Sequence, residues 1–120
     1  MAGYGRSDRV GAAMQRELSQ LIRDEIKDPR LGMVTIQEVR VTRDLSQAKV
    51  YFTVMDKDEI KSSTEVLNKA ASYLRRCLSA LMMLRVVPQL HFVYDTSVEE
   101  GMRLESLINK AVKADRHEDD

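Results

Sequence analysis

Between Leu67 and Tyr94 the apolar pattern changes period once, from helical to extended. That change restricts the chain to folds that combine helix and sheet. Leu67, Ala70, Ala71, Leu74, Cys77, Leu78, Leu81 and Leu84 recur at steps of three and four, the spacing of one helix face. Pro88 then closes the helical region, because proline has no amide hydrogen to donate, and Leu90, Phe92 and Tyr94 alternate as a strand does. Lys69, Ser72, Arg76 and Ser79 fall on a different face of the helix. Residues 68–94 contain Lys69, Arg75, Arg76 and Arg85 and no Asp or Glu, although the whole chain balances 19 basic against 19 acidic residues. The charge is therefore segregated, and such a face suits either an anion reader or an ordinary solvated surface.

The remaining pattern supplies the other elements. Ser7 is placed to cap a first helix with Asp8 in its opening turn. Val10, Ala13, Met14, Leu18, Leu21, Ile22 and Ile26 form its apolar face. Arg9, Arg16 and Arg23 repeat every two turns, about 10 Å apart, so with Lys27 they offer a stripe that can follow a phosphate backbone. Glu17 and Asp24 lie beside that stripe. Asp28-Pro29-Arg30-Leu31-Gly32 ends the helix. Val34–Arg43 reads as a strand whose phase switches between Ile36 and Val39, which predicts a bulge near Gln37-Glu38. Asp44-Leu45-Ser46 is a turn, and Ala48, Val50, Phe52 and Val54 alternate along the returning hairpin strand. Ser62 with Glu65 predicts a capping box for the central helix, and Thr96 with Glu99, or Ser97 with Glu100, predicts one for a last helix. Ala70-Ala71-Ser72 marks an expected break, with Ser72 capping the second of the two helices. The sum is an α+β sandwich with helices over one face of three strands. Residues 1–6 read as a flexible N-terminus, 7–114 as one domain and 115–120 as a polar tail.

Other chemistry finds little support. His91, Asp95 and Ser97 lie near one another in sequence, but no substrate or oxyanion site accompanies them. His91, His117 and Cys77 do not have zinc-ligand spacing. No Gly-rich phosphate loop follows a strand. No apolar run approaches the ~18 residues that span a bilayer, and the N-terminus lacks an apolar signal core. The single Cys77 excludes an internal disulfide. These features point to a cytoplasmic protein that is not an enzyme and holds no metal or cofactor. Two classes remain: an RNA- or ribonucleoprotein-binding module, and a protein-interaction domain that recognises an acidic partner without touching RNA.

Several segments together carry a resemblance. They are Arg6-Ser7-Asp8-Arg9-Val10, Glu17-Leu18-Ser19, Ile26-Lys27-Asp28-Pro29-Arg30, Val39-Arg40-Val41-Thr42-Arg43-Asp44-Leu45 and Ala48-Lys49-Val50-Tyr51-Phe52. Leu84-Arg85-Val86-Val87-Pro88-Gln89-Leu90-His91-Phe92, Tyr94-Asp95 and Glu100-Gly101-Met102 continue the series. In this order, from Arg6 to Ile108, the chain resembles the bacterial ribosome-binding factor A family. The resemblance implies a KH-like fold of type II, helix-strand-strand-helix-helix-strand, with a C-terminal helix and no GxxG loop. Where the family has an Ala-x-Gly kink, this chain has Ala70-Ala71-Ser72. The resemblance also implies a monomeric assembly factor. Such a factor binds the free small (30S) subunit and its ribosomal RNA, with ribosomal proteins as further contacts. It assists late maturation of 16S RNA near the 5′ end and is associated with growth in the cold. Lys69, Ser72, Arg75, Arg76 and Arg85 are the expected main contacts, aided by Arg9, Arg16, Arg23 and Lys27.

Overall fold

Strict alternation along Gln47–Val54 makes this strand, β2, the centre of a three-stranded sheet in which Ala48, Val50 and Phe52 all turn to the same buried face. A computed structural model describes residues 5–118. Part of the expected flexible N-terminus, 1–4, and of the expected polar tail, 119–120, lies outside them. Before β2 come α1 (Arg6–Glu25) and β1 (Val34–Val41); after it come α2 (Ile60–Lys69), α3 (Ala71–Met82), β3 (Gln89–Tyr94) and α4 (Ser97–Glu118). β1 pairs antiparallel with β2, and β3 pairs parallel with β2 on the other side. The register shifts between Ile36 and Glu38, at the predicted bulge. The extra residue lets Ile36 and Val39 both face the core despite their odd spacing. Met14 and Leu18 of α1, Leu67 of α2, and Leu74 and Leu78 of α3 complete that core from one side. Fully burying a side chain of this size contributes about 1.5–3 kcal/mol.

Helix ends differ from expectation in instructive ways. α1 begins one residue before Ser7. Gly5 is the cap, and its amide donates to Asp8 Oδ2 at 3.0 Å. The central helix begins at Ile60, after a 3₁₀ turn at Lys57–Glu59, so Ser62 lies inside the helix and cannot form the expected box with Glu65. Its hydroxyl instead donates to the Arg30 carbonyl, while buried Ser63 accepts from the Gly32 amide. Both serines tie the Asp28–Gly32 loop to α2. The predicted break falls at Ala70. Its N–H donates back to Val66 and its carbonyl accepts from Leu74, so one residue closes α2 and opens α3. Ser72 is therefore already helical and caps nothing. At the last helix, Glu99 accepts from the Tyr94 hydroxyl, and Thr96 donates to Glu100 Oε1, in place of either capping box. Asp95 instead accepts the Ser97 amide.

Asn68 and Gly11 each join a helix to a strand. Asn68, at the end of α2, accepts the Phe92 amide and donates to the Phe92 carbonyl, at 2.9 and 3.1 Å. Gly11 lets α1 lie directly on β1: a Cβ there would stand 2.6 Å from the Val39 carbonyl oxygen. α4, by contrast, projects from the body with Met102, Leu104, Leu107 and Ile108 exposed. Among the described residues no helix is long and apolar enough to cross a membrane.

Glycine-to-alanine exchange normally stabilises a helix interior by about 0.5–1 kcal/mol. At Gly11 the sign should reverse, because the added methyl meets backbone rather than a movable side chain; we expect Gly11→Ala to cost about 1–3 kcal/mol. Gly101, with nothing within 4 Å of its virtual Cβ, should tolerate alanine or gain helicity. Thermal melts of the two variants test this, and an unchanged or raised Tm for Gly11→Ala would refute the close approach.

Candidate nucleic-acid interface

α3 ends at Met82, six residues before Pro88, because Met83 adopts a left-handed conformation (φ 53°, ψ 33°). The proline predicted to stop the helix acts only on the returning segment. Leu84 thus leaves the helical face, and Leu81 is exposed although its spacing suits the core. The reversal carries residues 84–88 back beside α3. There Arg75 Nε donates to the Val87 carbonyl at 2.9 Å, pinning the return segment to the helix.

A recess of about 410 Å³ forms between them, lined by Ser72, Arg75, Arg76 and Ser79 of α3 with Arg85, Val86 and Val87. Among the described residues none of these three arginines pairs with a carboxylate. Arg76 sits over the Tyr73 ring at 6.0 Å, and Tyr73 donates through its hydroxyl to Glu25 Oε2 at 3.1 Å. Cys77 and Glu25 beside it push the Tyr73 hydroxyl above its ordinary pKa. The arrangement presents cations, hydroxyls and an aromatic ring on one exposed face, a combination that suits phosphates and stacked bases.

The other sequence candidates are placed elsewhere. Lys69 closes α2 across the Ala70 break, which resets the helical phase and removes it from the row with Ser72, Arg76 and Ser79. Its charge acts on Asp28, whose carboxyl is held below the usual aspartate range chiefly by hydrogen bonds from Arg30. Arg75 and Arg76 line the same recess. Arg9, Arg16 and Arg23 are exposed along α1 as their spacing predicts, but do not line the recess. Lys27 lies beyond the Ile26 cap and so does not extend the helical stripe. Tyr73 escaped the sequence analysis, although its position three residues before Arg76 was a legible signal. His91 meets Gln47 Oε1 at 2.6 Å, while Asp95 accepts the Ser97 amide, so the three residues near 91–97 form no relay.

Residues 6–108 match the family model described as ribosome-binding factor A. The chain is 56% identical over 117 residues to ribosome-binding factor A of Azotobacter vinelandii, covering 94% of this chain and 91% of that one. It is 55% identical over 122 residues to the Pseudomonas aeruginosa protein of the same name, covering 98% and 94%. Among solved structures, the crystal structure of ribosome-binding factor A from Thermus thermophilus superposes with a TM-score of 0.66 at 27% identity, covering 76% of this chain and 97% of that one. A homology model of the Thermus thermophilus factor, fitted into the cryo-EM map of its complex with 30S, gives 0.66 at 26% identity, covering 75% and 96%. The fold is KH-like.

Arg75 and Arg76 should separate in a stability assay. Arg75→Ala removes the charged donor of Val87 and should cost about 1.5–3 kcal/mol. Arg76→Ala should change stability by less than about 1 kcal/mol, because it removes an exposed cation and its long contact with the Tyr73 ring. Denaturant melts of both variants decide it; equal stability would dissolve the assigned difference.

Proposed function

The chain belongs to the ribosome-binding factor A family, and from that membership we propose that it binds the free small ribosomal subunit and assists late maturation of 16S RNA near its 5′ end. In this reading it is a cytoplasmic, monomeric, non-enzymatic factor that serves growth in the cold. The observation that carries the reading to specific residues is the recess of Ser72, Arg75, Arg76 and Arg85. It concentrates positive charge on a chain of zero net charge. Local concentration matters because phosphate binding is driven by counterion release at the contact, not by the charge of the whole protein.

In this reading the residues divide the labour. Arg75 is committed to the Val87 carbonyl, so it shapes the surface and offers the guanidinium edge that remains. Arg76 and Arg85 are exposed and take phosphates. Ser72 and Ser79 add hydroxyls between them. Leu81, Met83 and Val86 are exposed close by, which suits an adjoining ribosomal-protein contact. Lys69 and the α1 stripe of Arg9, Arg16 and Arg23, with Lys27 past the helix end, act as outlying contacts. A domain that recognises only an acidic protein would use the same cations but would show no affinity for RNA.

Co-sedimentation tests the partner: free small subunits should retain the protein and assembled ribosomes should not, and equal retention would reject the reading. A salt series tests the residues. Arg76→Ala and Arg85→Ala should each weaken subunit binding and reduce the steepness of log affinity against log salt by up to about one unit. Wild-type affinity and slope in both folded variants would remove this surface from the interface.

A further inference from the structure

All three helices of the body cover one face of the sheet, and the opposite face is open. Register places Arg40 of β1, Lys49 of β2 and His91 of β3 in one row across that open face. Neighbouring strands lie about 4.8 Å apart, so the row is compact. The adjoining row places Glu38, Tyr51 and Val93 side by side. Tyr51 is half-buried and Val93 is 38% exposed, which leaves an apolar, partly aromatic strip in the middle of a polar surface. The Arg40 guanidinium lies 5.5 Å over the Tyr51 ring and bonds to Glu38 at 3.2 Å. Glu38 thereby holds one planar group against another. Gln47 similarly holds the His91 ring. Among the described residues Lys49 pairs with no carboxylate. The nearby Asp95 is engaged by the Ser97 amide.

We propose that this open sheet face is a second RNA-contact surface, on which Tyr51, His91 and the Arg40 plane stack the bases of a single-stranded segment and Lys49 takes its phosphate. This rests on the RNA-binding reading above but concerns a surface separate from the α3 recess, built on the opposite phase of the strands. Three planar groups, each held by a neighbour, suit stacking, which is sequence-tolerant because every base has a π-face. A duplex hides those faces inside its own stack, so the surface should prefer single strands. Charge supports an RNA occupant, since Lys49 offers an unpaired cation while Arg40 is already balanced by Glu38. A protein partner would need a larger apolar core than Tyr51 and Val93 provide.

The test uses the full chain with a fluorescent single-stranded oligoadenylate and a duplex RNA of equal length, followed by anisotropy. Tyr51→Leu, which keeps the half-buried bulk, and the exposed pair Lys49→Ala with His91→Ala should each lower oligoadenylate affinity by about tenfold. Duplex affinity and the melting temperature should stay near wild type. Arg76→Ala should weaken both RNAs. Ultraviolet crosslinking of the oligoadenylate should mark the peptides carrying Tyr51 and His91. Full oligoadenylate affinity in the folded sheet variants, with loss only in Arg76→Ala, would overturn the proposal and leave the α3 surface standing. No binding of either RNA, with small-subunit binding intact, would overturn this proposal and direct RNA contact with it. Crosslinks from Lys49 to a ribosomal protein alone would assign the face to protein and likewise overturn it.

Discussion

One-sided burial of the sheet is the constraint on which the rest of the molecule depends. Ala48, Val50 and Phe52 face one way with Ile36, Val39, Leu90 and Phe92, and every helix of the body must close over that side. Left uncovered, that apolar face would remain in water, so the helices supply the burial that stabilises the sheet. The β1 bulge follows from the same demand, because without it either Ile36 or Val39 would point to water. Gly11 follows too. α1 reaches β1 only where a side chain is missing, and Gln15, one turn further on, donates to the carbonyls of Ile36 and Gln37 beside the bulge.

Features written in local periodicity were legible in the sequence. The strands of Val34–Val41, Gln47–Val54 and Gln89–Tyr94, the bulge and the break near Ala70 all announce themselves within a few residues. The caps did not, because a cap depends on which turn the helix starts in. Gly5 displaced Ser7 by a shift of a fraction of a turn, and the 3₁₀ turn before Ile60 drew Ser62 inside its helix. Pro88 was a sound stop signal made redundant by the earlier reversal at Met83. Gly11 carried no local sign at all, since its reason lies in a strand far along the chain.

The candidate site divides on the same principle. The acid-free stretch of residues 68–94 pointed to Lys69, Ser72, Arg75, Arg76 and Arg85, and the fold gathers all of these but Lys69 in one recess. A helical wheel, however, assumes a continuous helix, and the phase reset at Ala70 carries Lys69 away. The open sheet face was invisible for a different reason. Arg40, Lys49 and His91 come from three strands, and only the parallel pairing of β3 with β2 brings them into register. Charges that meet through long-range pairing leave no mark in any single window of sequence.

The Asn68 amide has a meaning for folding in company as well as alone. An exposed sheet margin is a template on which another unfinished chain can lengthen the sheet. Asn68 offers Phe92 both an acceptor and a donor, as one residue of an adjoining strand would, and so occupies that margin with a counterfeit neighbour. At Phe92 the margin of β3 is thereby satisfied without a fourth strand. In a crowded setting full of nascent polypeptide, a chain pairing with β3 would first have to displace this side chain from Phe92.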